Sequence, residues 1–134
     1  MDGYNRGSHS KHSLKVHLIF VTKYRKKLFL HPDMKEDIKQ SLYEAAQKEK
    51  SQILQMETDK DHVHLLVGYP PMISISHLVK TLKQKSTYET WQRHGALLKK
   101  TYWQKSIFWS DGYFACSVGQ ASQLTIEKYI KNQG

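Results

Sequence analysis

The chain has 134 residues, with 21 lysines and arginines against 12 aspartates and glutamates, and a formal net charge of +9 at pH 7. This length suits one compact domain, and the excess of positive charge favours a polyanionic partner, nucleic acid before membrane. No apolar run approaches the roughly 18 residues that suggest a membrane span, and residues 1–12 lack the apolar core of a secretory signal. The single Cys116 excludes an internal disulfide, which agrees with a reducing compartment. We therefore expect a cytoplasmic protein.

The predicted elements of the first half alternate between strand and helix patterns. Residues 1–13 show no periodicity and are expected to be a flexible arm, followed by one domain over residues 14–134. Apolar residues that alternate indicate strands, and apolar residues at helical spacing behind a proline indicate a helix. We therefore predict strands over residues 14–22, 52–58 and 62–69 and a helix from Pro32 to about Glu49. The short polar turn between the last two strands predicts an antiparallel hairpin.

The second half predicts another helix, capped by Ser74 or Ser76, whose pattern breaks near Gly95. The remaining predicted elements are short strands over residues 107–109 and 113–118 and a last helix, capped by Ser122 or Thr125, that runs to about Gln133. The complete order is βαββαβ followed by a helix. That order predicts an α+β sandwich of ferredoxin-like type, with helices packed on one face of an antiparallel sheet.

Two histidines on the third predicted strand form a candidate metal site. His62 and His64 are two residues apart, so they point to the same face of the strand, with their Cα atoms about 7 Å apart. Two neutral imidazoles can chelate a divalent ion and leave coordination positions open for substrate oxygens. A chain with 8 histidines can supply such a pair by chance, so two polar residues on a solvated face remain the alternative. His17 lies in the middle of the first strand and could face the same surface.

A tyrosine on the last predicted helix is a candidate nucleophile. Thr125, Tyr129 and Gln133 are four residues apart and lie on one stripe, beside an apolar stripe of isoleucines. A phenolate can attack phosphorus and hold the product as a phosphotyrosine. The alternative is a tyrosine whose ring packs on the protein while its hydroxyl stays in water.

Basic residues interleaved with aromatic residues predict contact with single-stranded nucleic acid. Cations track phosphates, and aromatic faces stack on unpaired bases; the alternative is a solvated face above buried aromatics. The candidate DNA-contacting residues are Lys23, Tyr24, Arg25, Lys26, Lys27, Lys80, Lys83, Lys85 and Arg93, and a further basic and aromatic set comprises Tyr88, Trp91, Lys99, Lys100, Tyr102 and Trp103.

Taken together, these motifs resemble the single-tyrosine HUH transposases of small bacterial and archaeal insertion sequences, with the REP-associated tyrosine transposases among their relatives. The resemblance extends over about residues 12–133 and is carried by residues 17–25, 61–67, 113–114, 117–119 and 129–133. It implies an enzyme that cuts and rejoins single-stranded DNA through a 5′-phosphotyrosine intermediate. The residue roles that it implies are Tyr129 as the nucleophile and His62, His64 and Gln133 as ligands of Mg²⁺ or Mn²⁺.

The resemblance also implies partners. It predicts a homodimer that recognises hairpin DNA ends, with Tyr129 of one subunit facing His62 and His64 of the other, in a prokaryotic cell and on the nucleoid when DNA is bound. Two alternatives stay open. One is a domesticated nickase of the same type that acts on chromosomal repeats, and the other is a non-catalytic ferredoxin-like module that binds single-stranded nucleic acid.

Overall fold

The computed structural model describes residues 14–117 and 123–133. Its strands are β1 (Leu14–Val21), β2 (Gln52–Asp59), β3 (His62–Tyr69) and β4 (Phe114–Ser117), and its helices are α1 (Pro32–Lys48), α2 (Ile75–Thr101) and α3 (Gln123–Lys131). The strands form a four-stranded antiparallel sheet in the order β2-β3-β1-β4. The predicted ferredoxin-like α+β class is confirmed, whereas the expected flexible arm over residues 1–13 lies outside the described residues.

The sheet has one face covered by α1 and α2 and a second face that bears histidines. Alternate residues of β1 and β3 enter the core on the first face, among them Val16, Leu18 and Val63. They meet the apolar stripes of both helices, which include Met34, Ile38, Leu42, Leu78 and Leu82. Because side chains alternate along a strand, the residues between them point to the opposite face. That second face is where the candidate metal ligands lie.

Local signals define the ends of the two long helices. Pro32 opens α1 at its first turn, where a missing N–H costs nothing. The helix ends where Lys50 adopts a left-handed conformation with φ 55°, and the Ser51 N–H donates to the Ala46 carbonyl over 2.9 Å. Ser74 caps α2, since its hydroxyl accepts from the His77 N–H at 3.1 Å.

The predicted break near Gly95 is confirmed by a kink, and two other sequence predictions require correction. α2 spans Ile75–Thr101 with a kink at His94, whose backbone is non-helical (φ −126°, ψ 29°). Residues 107–109 form no strand but an isolated bridge between Trp109 and Thr22, because this apolar stretch anchors a loop in the core rather than extending the sheet. Thr125 lies inside α3 and cannot be its cap, while Ser122 lies outside the described residues. No described helix has the length and apolar character needed to cross a membrane.

Candidate active site

Three histidines meet on the face of the sheet opposite α1 and α2. His64 is the register partner of Ile19, and His62 is the register partner of Val21. His17 lies on the same face of β1, and its Nδ1 is 3.0 Å from Nε2 of His64, a contact between residues 47 positions apart. The sequence prediction that His17 faces the same surface as the histidine pair is confirmed.

The ring of His62 is oriented by Asp61, the residue directly before it. Its Nδ1 lies 2.9 Å from Oδ1 of Asp61, and the other carboxylate oxygen accepts from Nε of Arg25 at 3.0 Å. Burial raises the pKa of Asp61, but the hydrogen bonds from His62 and Arg25 outweigh that effect, so the pKa lies below its ordinary value. Sequence reasoning did not assign this role to Asp61, although an acidic residue next to a candidate ligand was the available signal.

The two imidazoles suit a divalent metal ion. Burial, together with the neighbouring His17, lowers the pKa of His64, which favours the neutral ring that binds metals. Because Nδ1 of His62 faces a carboxylate, its Nε2 is free to act as the ligand atom. Within residues 14–117 and 123–133, histidine, cysteine, aspartate and glutamate side chains form no group of three that could hold a metal. Within that part of the chain a third protein ligand would be of another type, and an amide oxygen meets that requirement.

Gln133 is connected to β1 through Ser110. Its Oε1 is 3.4 Å from the Ser110 hydroxyl. The Ser110 N–H in turn donates to the carbonyl of Val21 over 2.7 Å, and Val21 is the register partner of His62. The loop that follows α2 thus links the Gln133 amide, which lies just after α3, to the residue of β1 that pairs with His62.

Tyr129 reaches the same face through β4. Its ring packs on that of Phe114, with centroids 5.6 Å apart. Phe114, Ile19 and His64 are register partners in a row across three strands, which places the Phe114 and His64 Cα atoms about 10 Å apart. Burial raises the pKa of Tyr129, so the phenol is protonated at neutral pH. Among the described residues, no hydrogen bond or ring contact joins Tyr129 to His62 or His64.

Several candidate DNA-contacting cations are engaged in the protein's own contacts. The pairs are Lys23 with Asp111 (3.7 Å), Arg25 with Asp61 (3.0 Å), Lys85 with Glu44 (3.6 Å) and Glu89, Arg93 with Asp37 (3.3 Å), and Lys83 with the carbonyl oxygens of Ser110 and Gly112. Arg93 is exposed as well as paired, and the remaining candidates, Tyr24, Lys26, Lys27 and Lys80, are all exposed. These four side chains are therefore the ones with room to meet a phosphate or a base.

A groove of about 1320 Å³ runs between the second half of α2 and the loop over residues 105–112. Its aromatic lining comprises Trp109, Tyr88, which is 66% exposed, and Trp91, whose Nε1 donates to the Ile107 carbonyl at 2.9 Å. Its basic lining comprises Lys83, Lys99, Lys100 and Lys105, and Ser110 also lines it. Tyr102, by contrast, is 1% exposed and donates its hydroxyl to the Lys23 carbonyl at 2.8 Å. The prediction that Tyr102 stacks on bases is wrong, because this ring lies in the core at the end of α2.

Comparison with known proteins identifies relatives across almost the whole chain. The sequence profile of the family described as IS200-like transposases matches residues 10–133. The transposase for insertion sequence element IS200 of Salmonella typhimurium is 30% identical over 126 residues, covering 94% of this chain and 80% of that protein. The ISDra2 transposase TnpA of Deinococcus radiodurans is 30% identical over 122 residues, covering 91% of this chain and 85% of its own.

Two solved structures share the architecture. A Deinococcus radiodurans protein described as a candidate transposase superposes with a TM-score of 0.82 at 28% identity, covering 96% of this chain and 97% of its own. A REP-associated tyrosine transposase bound to a REP hairpin superposes with a TM-score of 0.57 at 12% identity, covering 97% of this chain and 68% of its own. The second likeness is evidence for the fold alone.

Proposed function

Because the chain belongs to the family of IS200-like transposases, we propose that it cleaves and rejoins single-stranded DNA ends through a covalent 5′-phosphotyrosine on Tyr129. The observation that carries the proposal is the position of Tyr129 on Phe114, at the sheet face that also bears His62 and His64. A tyrosine nucleophile and a pair of metal-binding imidazoles supply the groups that metal-assisted phosphoryl transfer to a side chain uses.

Cleavage exchanges one phosphodiester bond for one phosphotyrosyl ester bond, and rejoining reverses that exchange. The Tyr129 oxygen forms a bond to phosphorus as the bond from phosphorus to the 3′ oxygen breaks, and that oxygen leaves as a free 3′-OH after taking a proton. A 3′-OH of another end then attacks the phosphotyrosine, which restores the DNA linkage and the phenol. Because the phosphotyrosyl ester retains the energy of the bond, no nucleotide cofactor is needed. Burial raises the pKa of Tyr129, so its proton must leave as the oxygen attacks.

His62 and His64 would hold Mg²⁺ or Mn²⁺, with the Gln133 amide oxygen as the third protein ligand. A bound ion of this kind polarises the scissile phosphate and stabilises the leaving oxygen. His64 would have to exchange its contact with His17 for the ion, since both use Nε2. The contact with Asp61 leaves Nε2 of His62 available without any such change.

DNA hairpins are the proposed substrates, and two surface features support this. The formal charge of +9 favours a polyanion. The groove beside α2 combines the exposed face of Tyr88 with Lys99, Lys100 and Lys105, a combination that suits unpaired bases and their phosphates. Ser110 lines the groove and contacts Gln133, so a strand bound in the groove would pass close to the proposed third metal ligand. A relative of the same fold was solved with a REP hairpin bound.

The covalent intermediate is tested directly. The protein is incubated with Mg²⁺ or Mn²⁺ and labelled single-stranded hairpins made from the DNA that flanks its gene, and the products are separated under denaturing conditions. We expect a labelled protein band that Tyr129→Phe abolishes and that Tyr43→Phe, an exposed tyrosine on α1, leaves unchanged. A wild-type protein that binds these hairpins without forming the band would instead be a non-catalytic binding module.

We also propose that the functional unit is a homodimer in which Tyr129 of one subunit acts on phosphate held by His62 and His64 of the other. The lack of a direct contact between Tyr129 and either histidine within the described chain supports this. Mixing Tyr129→Phe protein with His64→Ala protein tests it, because only a site shared between subunits gives a mixed dimer with one complete site. Recovered cleavage is expected; a mixture as inactive as each variant alone would place the whole site within one chain.

A further inference from the structure

Residues 22–29, the basic segment after β1, lie around the turn between β2 and β3, and we call this segment the bracket. Thr22 is fully buried, and its N–H donates to the Asp61 carbonyl at 2.9 Å. The Thr22 hydroxyl lies 2.7 Å from the Lys26 carbonyl, which closes the segment on itself. A second tie runs from the Phe29 N–H to the carbonyl of Lys60 at 3.0 Å. The segment that carries the basic run is therefore hydrogen-bonded to Lys60 and Asp61, the two residues that precede His62.

The backbone of this bracket adopts a conformation that its residues do not favour by themselves. Tyr24 and Arg25 are both left-handed, with φ 58° and 52°. Two successive non-glycine residues in this region are strained, and such strain persists where surrounding contacts impose it, often next to functional sites. The consequence here is specific, because the turn directs the Arg25 side chain back onto the Asp61 carboxylate.

Asp61 divides its two oxygens between a cation and a histidine. Oδ2 accepts from Nε of Arg25 at 3.0 Å, and Oδ1 faces Nδ1 of His62 at 2.9 Å. The Asp61 side chain is only 10% exposed, so water cannot easily replace either partner. A carboxylate that faces Nδ1 keeps a proton there and directs the lone pair to Nε2, and it also prevents rotation of the ring.

From this geometry we propose that Arg25 and Asp61 are positioning residues that hold His62 as the Nδ1–H tautomer, with Nε2 presented to the metal ion. The inference rests on the proposed function only in taking His62 as a metal ligand. It gives Arg25 a role other than the phosphate contact that its place in a basic run suggests. Lys26, the next residue along the same turn, is exposed and provides the comparison.

Two readouts separate positioning from a phosphate contact. The first is the ¹⁵N chemical shift pattern of the His62 ring in metal-free protein, which reports its tautomer directly. The second is Mn²⁺ affinity in the absence of DNA. We expect Arg25→Ala and Asp61→Asn to mix the His62 tautomers and to weaken Mn²⁺ binding about tenfold or more. Lys26→Ala should change neither readout, although it removes the same charge from the same turn.

Each alternative result has a definite meaning. If Arg25→Ala leaves the tautomer and Mn²⁺ affinity as in the wild type and lowers only hairpin affinity, as Lys26→Ala does, the inference is overturned. If Asp61→Asn does not fold, Arg25→Ala and Arg25→Lys decide the question, since circular dichroism can confirm their fold. Should His62→Ala bind Mn²⁺ as tightly as the wild type, the proposed metal site fails, whereas the tautomer result still decides whether Arg25 and Asp61 hold the ring.

Discussion

Replacement of Lys83 by methionine tests whether this lysine stabilises the loop after α2 or contacts DNA. Its ammonium group donates to the Ser110 carbonyl at 2.9 Å and to the Gly112 carbonyl, and it lies 5.4 Å from the centre of the Phe20 ring. Burial lowers the pKa of Lys83, as expected for a cation that is partly withdrawn from water. We therefore expect Lys83→Met to loosen the loop after α2 without removing a phosphate contact.

The expected loss of stability follows from the two acceptors that Lys83 serves. Ser110 is buried, so the loss of a charged donor to its carbonyl costs about 1.5–3 kcal/mol. Gly112 is exposed, and water can take over at its carbonyl. Methionine keeps the apolar stem in place and carries no charge to desolvate, which offsets part of the loss. The free energy of unfolding should fall by about 1–2 kcal/mol, and Tm by roughly 3–8 °C.

Lys80→Met is the matched control, because Lys80 lies one turn earlier on α2 and is exposed. Urea denaturation followed by circular dichroism measures stability, and hairpin affinity at several salt concentrations counts phosphate contacts. Lys80→Met should keep the wild-type stability and reduce the slope of log K against log salt by about 1. Lys83→Met should keep the slope and lose stability. If Lys83→Met instead reduces the slope of log K against log salt and leaves stability unchanged, Lys83 contacts DNA and does not stabilise the loop.

Three further predictions concern side chains outside the active site. Tyr102→Phe should lower the free energy of unfolding by about 1 kcal/mol in urea denaturation, through its lost hydrogen bond, and should leave hairpin affinity unchanged. The Lys85 ammonium holds the pKa of Glu89 below its ordinary value. The stability that Glu89 contributes is therefore present above about pH 5 and is lost as the pH falls through the lower folded pKa. In denaturation measured at several pH values, Glu89→Gln should lose less stability on acidification than the wild type. Tyr88→Ala should weaken single-stranded DNA binding about tenfold by fluorescence anisotropy, whereas Tyr43→Ala should not, and equal effects would exclude stacking in the groove.

The sequence by itself determined the elements and their faces. Alternation along β3 predicted its bounds at His62 and Tyr69, and Pro32 predicted the start of α1, because periodicity and helix-start signals are local properties of the chain. The spacing of His62 and His64 predicted a shared face for the same reason. The βαββαβ order then sufficed to predict the ferredoxin-like sheet.

Only the tertiary structure decided which charged and aromatic side chains are available for function. Arg25 and Lys83 belong to basic patterns in the sequence, yet their partners lie 36 and 27 positions away, on a β-turn and on the loop after α2. His17 and His64 meet because β1 and β3 pair in one particular register. Such contacts depend on strand register and helix packing, which a local pattern does not encode. The same run of basic residues therefore supplies exposed cations at Lys26 and Lys27 and, at Arg25, an ion-pair partner for the buried Asp61.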